Sequence, residues 1–161
     1  MAQVDAFRFH AVLQKSSFGV GATRYADHYP GEEGSARIVL MATPEGGDTI
    51  PMIVDTGAPW CVLNPELADA WGLSVESSYR PDRKLNIRGD SYYGRLVVIQ
   101  IELHAEIGQS LTVPATVFIP ELEPGQAWNL PNFIGLTGFL ERIRFAVDAT
   151  ENAFYFGPAH I

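Results

Sequence analysis

The sequence predicts an all-β domain, and three observations carry that prediction. Short alternating or apolar runs recur along the chain, each bounded by turn residues. Fifteen glycines and 11 prolines supply many turns. Long helical patterns are scarce, and one or two short helices suffice to read what remains. The length, 161 residues, corresponds to about one domain. A hydrophobic content of 47% against 19% charged residues excludes a disordered chain.

Taken in order, residues 4–14 place Phe7, Phe9, Ala11 and Leu13 on one face, the pattern of a half-buried strand. Residues 15–35, rich in Ser and Gly, read as a long loop or arm. Residues 1–35 therefore form an N-terminal strand and arm, and residues 36–161 the main domain. Residues 37–42 and 49–54 are apolar runs flanking TPEGGD, which predicts a hairpin. Asn64-Pro65-Glu66 then opens a short helix: Asn caps it, Pro sits in the first turn, and Glu faces the positive dipole end. Gly72 stops it. Residues 73–83 read as a loop, and 84–103 as a hairpin turning near Gly89-Asp90. Val97, Ile99, Ile101 and Leu103 share one face of its second arm. Residues 104–109 turn the chain. Leu111, Val113, Ala115, Val117 and Ile119 alternate in the next strand, and residues 120–131, with three prolines, form a loop. Phe133-Ile134-Gly135 is a short apolar strand, 138–143 make one or two helical turns, and 144–148 with 153–157 form a last hairpin.

The composition narrows the function classes. The net charge is −8, from 11 basic and 19 acidic residues, and Lys15 and Lys84 are the only lysines. With no basic stripe, nucleic acid is not an expected partner, nor is a membrane surface. No apolar run reaches membrane-spanning length, and the first residues lack the apolar core of a signal peptide. The single cysteine, Cys61, excludes an intrachain disulfide and reads as a buried inert thiol. A reduced, cytoplasmic, soluble protein is the expectation. His10, His28, His104 and His160 are scattered without ligand spacing, so no metal is expected. Gly19-Val20-Gly21 lacks the third glycine of a dinucleotide fingerprint, and no cofactor is expected. Trp60, Trp71 and Trp128 read as packing residues.

The informative segment is Ile53-Val54-Asp55-Thr56-Gly57-Ala58. A carboxylate following an apolar strand is costly to bury unless its oxygens are held. Gly57 permits a tight turn and close approach of its N–H, and Thr56 adds a hydroxyl. Such a turn fixes an aspartate rigidly at the floor of a cavity.

In these residues the chain resembles the retropepsin-like (retroviral-type) aspartic proteases, whose mark is two apolar residues before Asp-Thr/Ser-Gly-Ala. Their second mark, two apolar residues and a glycine followed by a short helix with Leu, is matched by Phe133-Ile134-Gly135-Leu136-Thr137-Gly138-Phe139-Leu140. The resemblance covers about residues 36–157. It implies a closed barrel of the acid-protease type. It also implies an aspartic endopeptidase that hydrolyses peptide bonds in a polypeptide substrate with a water held between two aspartates. One carboxylate acts as general base, and the other, protonated, polarises the substrate carbonyl. The sequence holds one Asp-Thr-Gly, since Asp48-Thr49 and Asp90-Ser91 lack the following glycine. Each chain thus supplies half a site, and the resemblance implies a homodimer with two copies of Asp55 facing each other across a two-fold axis. Thr56 inherits the hydroxyl that reaches the partner loop, Gly57 and Ala58 line the floor, and Ile134 and Gly135 support it.

Residues 84–95 fall where the family carries its flap. Gly89 and Gly94 can allow bending there, and Tyr92 or Tyr93 can cover the cleft. The same residues also fit a plain surface hairpin with its tyrosines packed on a neighbouring strand. Two departures stand out. Pro59 and Trp60 replace the acidic residues that often follow the Ala, and Leu136 and Thr137 replace Arg-Asp or Arg-Asn after the later Gly. Their joint loss favours the alternative reading, a catalytically silent retropepsin-like dimerisation or peptide-binding module. An unrelated small-ligand barrel is a third reading.

Overall fold

The computed structural model describes residues 19–73 and 78–159. In chain order the elements are β1 (Gly21–Arg24), β2 (Val39–Pro44), β3 (Ile50–Val54), β4 (Cys61–Val62), α1 (Pro65–Ala70), β5 (Ser78–Ile87) and β6 (Asp90–Leu103). They continue with β7 (Ile107–Gly108), β8 (Leu111–Glu121), β9 (Phe133–Ile134), a 3-10 turn (Leu140–Arg142), β10 (Ile143–Asp148) and β11 (Ala153–Pro158). The all-β expectation holds, and the helix starts as the sequence predicts: Asn64 Oδ1 accepts the Glu66 N–H at 2.8 Å.

Strands β2, β3, β9, β4, β8 and β6 pair in that order, and β6 returns to β2 to close a six-stranded barrel. The closing seam is short, pairing Ala42 with Leu103, Thr43 with Glu102 and Pro44 with Ile101. The predicted faces of β6 and β8 fill the interior: Val97, Ile99, Ile101, Leu103, Val113, Ala115, Val117 and Ile119 are buried. The second half of β8 is buried on both faces, because Phe118 packs against Trp60 on the hairpin side, with ring centroids 6.3 Å apart. Strand β5 extends the sheet beyond β6.

A second sheet, in the order β10-β11-β1-β7, lies against the barrel, and Phe154 and Phe156 join its core. Three expectations are corrected here. The span 15–35 is not all loop, because β1 pairs with β11 from Gly21–Phe156 to Arg24–Ala153. The turn 104–109 contains β7, which pairs with β1. The loop 73–83 gives way at Ser78 to β5, whose register shifts twice between Ser78 and Arg83, around Pro81, which has no N–H to donate. The strand expected over 4–14 lies outside the described residues.

Candidate active site

Strand β3 delivers Asp55 to the edge of a cleft of about 480 Å³. The segment around it is fixed by backbone bonds from neighbours distant in sequence. Strand β9 runs parallel to β3, pairing Ile53 with Phe133 and Val54 with Ile134. The Asp55 N–H donates to the Ile134 carbonyl at 2.9 Å, and the Val54 N–H to the Ile38 carbonyl at 2.8 Å. The two motif segments, far apart in sequence, therefore stand side by side.

The turn itself closes on the carboxylate. The Gly57 N–H donates to Asp55 Oδ1 at 2.9 Å, and the Ala58 N–H to the Asp55 carbonyl at 3.2 Å. A Cβ on Gly57 would stand 3.2 Å from Oδ1, a tight contact that would press on the carboxylate. Asp55 is half-buried, and its Oδ2 has no hydrogen-bond partner among the described residues. Thr56 is exposed, and its hydroxyl likewise has no partner among the described residues. Asp55, Thr56, Gly57 and Ala58 all line the cleft.

Ile134 and Gly135 lie beneath this loop. Ile134 is fully buried, and a Cβ on Gly135 would overlap the backbone carbonyl of Trp60. The residues that replace the charged pair of the retroviral pattern also brace the floor. The Leu136 N–H donates to the Ala58 carbonyl at 2.7 Å, and the Gly138 N–H to the Pro59 carbonyl at 2.9 Å. Leu136 packs on the core. Backbone bonds and apolar contact stand where the retroviral pattern has charged residues.

The far wall of the cleft is the β5–β6 hairpin, through Leu85, Asn86, Ile87 and Arg88. Arg88 (φ 52°) and Gly89 (φ 94°) form its two-residue turn, both in the left-handed region that such hairpins require. Gly89 is thus a turn residue. The other residues expected of a flap are placed elsewhere. Tyr92 is buried edge-on to Trp128, ring centroids 5.2 Å apart, while Tyr93 is exposed with the Lys84 ammonium 5.9 Å from its ring centroid. Neither tyrosine lines the cleft. Gly94 is a packing residue, since a Cβ there would fall 2.7 Å from the Phe118 ring. Tyr92 is packed as in a plain hairpin and Tyr93 is exposed, yet the hairpin's tip shares the cleft with Asp55.

Two charged residues of the cleft were not singled out from the sequence, Arg37 and Arg88. Arg88 forms a two-pronged pair with Glu32, Nη1 to Oε1 at 2.5 Å and Nη2 to Oε2 at 2.9 Å. Its guanidinium carbon also lies 6.0 Å from the centre of the Phe133 ring. The Arg88 hydrogen bond holds the Glu32 carboxyl below its ordinary range, against an opposing effect of burial. Arg88 is raised in turn, first by the bond to Glu32 and to a smaller extent by the charges of Glu32 and Asp55. The loop bearing Glu32 is thereby tied to the hairpin tip. No signal in the sequence marks this pair, which joins two aperiodic stretches.

Among the described residues no group of His, Cys, Asp and Glu could hold a metal ion, and no helix is long and apolar enough to cross a membrane. Cys61 is fully buried, and burial pushes its thiol up to about 12.

This architecture has counterparts among solved structures. The crystal structure of a retropepsin-like aspartic protease from Rickettsia conorii matches with a TM-score of 0.54 and 17% identity, over 84% of this chain and 98% of that one. The crystal structure of the retroviral protease-like domain of Ddi1 from Leishmania major matches with a TM-score of 0.43 and 15% identity, over 78% of this chain and 90% of that one. No family model matches the sequence, and no curated protein matches it. The chain has a retropepsin-like fold.

Proposed function

We propose that this protein is an aspartic endopeptidase acting as a homodimer, with two copies of Asp55 sharing one catalytic water. The observation that carries the reading is the placement of Asp55. It stands half-buried at the wall of a cleft below a hairpin tip, with Oδ1 fixed by Gly57 and Oδ2 without a partner among the described residues. A carboxylate held on one oxygen and open on the other is arranged to take a proton from water. The exposed Thr56 hydroxyl is available to the partner loop.

In this mechanism the paired carboxylates carry one proton between them, because two close negative charges repel. The ionised member removes a proton from the water as it attacks the peptide carbonyl. The protonated member donates a hydrogen bond to the carbonyl oxygen, where negative charge develops. Proton transfer to the departing nitrogen then releases the amine. The hairpin tip forms one wall over the substrate. A reducing, cytoplasmic setting suits a chain whose single cysteine is a buried thiol.

Denatured casein, incubated with wild type and with Asp55→Asn from about pH 3.5 to 7, tests the reading. Light scattering on the same samples gives the oligomeric state. A dimeric wild type that cleaves, most strongly below neutrality, and a dimeric Asp55→Asn that does not, are expected. A strict monomer at micromolar concentration overturns the shared site. A dimer without cleavage makes the protein a silent retropepsin-like module.

A further inference from the structure

We infer that the cleft selects peptides carrying an acidic side chain, read by Arg37; the inference rests on the endopeptidase reading above. The chain as a whole is strongly acidic, at −8. The charged residues of the cleft lining run the other way: two arginines, Arg37 and Arg88, against one carboxylate, Asp55.

The two arginines differ in what they have left to offer. Arg88 spends both terminal nitrogens on Glu32, and Glu32 spends both oxygens on Arg88. The Arg37 charge also lowers the Glu32 pKa, but the two side chains form no hydrogen bond or ion pair. Arg37 makes one side-chain hydrogen bond, from Nη1 to the carbonyl of its neighbour Ala36 at 2.8 Å, and no ion pair among the described residues. A guanidinium carries five N–H donors in a planar fork, so most of Arg37's remain open to a carboxylate.

The backbone beneath Arg37 is anchored. Its N–H donates to the Asp27 carbonyl at 2.7 Å, and two residues on Val39 exchanges both backbone bonds with Ala26. Arg37 therefore lines the same cleft as Asp55 from a fixed backbone, with its remaining guanidinium donors unengaged among the described residues. A Glu or Asp side chain on the substrate fits this donor set. A Gln fits it less well, and a Lys is repelled.

The test uses labelled decapeptides of neutral apolar sequence in which Glu, Gln or Lys is stepped through each position. Arg37 is exposed, so wild type should cleave the best Glu peptide with a kcat/KM about two- to fivefold above its Gln counterpart, the effect of one charge-assisted pair at an exposed site. Arg37→Ala should erase that ratio, and Arg37→Glu should reverse it in favour of Lys. Thermal melting of each variant shows that it is folded. The same peptides are titrated against Asp55→Asn, with and without Arg37→Glu, by fluorescence anisotropy. Cleavage with no Glu preference, or a preference that survives Arg37→Glu, overturns the inference and leaves the endopeptidase reading standing. Binding of Glu peptides that reverses with Arg37→Glu, without cleavage by wild type, keeps the inference and overturns the endopeptidase. Neither binding nor cleavage overturns both.

Discussion

Gly135 and Gly57 are both glycines of the motif segments, but they are held for different reasons. At Gly135 a methyl group would enter the Trp60 backbone, which cannot swing aside as a side-chain end would. Gly135→Ala should destabilise the protein by about 1–3 kcal/mol, as overpacking does, read as a lower urea midpoint. A midpoint equal to wild type would contradict the close crossing. At Gly57 the contact is with the Asp55 carboxylate, at 3.2 Å, and that side chain can yield by a few tenths of an ångström. Gly57→Ala is expected to keep the wild-type midpoint and to act on whatever Asp55 does. The Asp55-Thr56-Gly57-Ala58 turn was legible in the sequence because its bonds are local, between residues two and three apart. The role of Leu136 was not. Its contribution runs through its backbone N–H to Ala58, and a backbone bond leaves no trace in residue type.

Among the elements, the β5–β6 hairpin depends on one ion pair for its position against the loop bearing Glu32. Glu32 and Arg88 are partly exposed, with 23% and 39% of their side-chain surfaces accessible. A two-pronged pair of this kind is worth about 0.5–1 kcal/mol in a double-mutant cycle with Glu32→Gln and Arg88→Met. The folded state lowers the Glu32 pKa below its ordinary 4.5, so the pair adds stability above that value. The contribution disappears as pH falls through the lowered value, and 1 M salt weakens it at any pH. The coupling measured at pH 7 should therefore shrink as the pH is taken progressively below 4.5. A coupling that does not change over an acid titration would mean the two residues interact by packing alone. Gly89-Asp90 signalled the hairpin, and the turn lies one residue earlier, at Arg88-Gly89. The tyrosines were harder to place, because alternation tells which residues share a face but not which face meets the cleft. Strand β1 was hidden for another reason. Gly21 and Ala22 carry little side chain, and a Cβ on Gly21 would fall 2.7 Å from the Phe156 ring. Its sequence is shaped by what it must let in, so it shows no apolar run.

For the molecule as a whole, the barrel is one cooperative core closed by a three-pair seam. Ile101 stands at that seam and is fully buried. Ile101→Ala should cost about 2–5 kcal/mol in chemical denaturation, a large part of a typical domain's stability. Val98, half exposed on the same strand, should lose less than about 0.5 kcal/mol on changing to Ala. Equal losses at the two sites would mean that the seam does not bury Ile101. Closure was implied by family resemblance, whereas strand alternation alone located the longer strands and said neither how many short ones join them nor how they pair. Pairing partners lie far apart in the chain, and periodicity carries no information about them.

The parallel pairing of β3 with β9 also has a consequence in time. A ribosome adding about 5–20 residues per second needs roughly 4–16 s to travel from Asp55 to Phe133. Throughout that interval the emerging Asp55 turn has no Ile134 carbonyl to receive its N–H and no Leu136 to brace Ala58. The nascent chain carries the motif without the cleft, and the site comes into being only after Leu136 has been added.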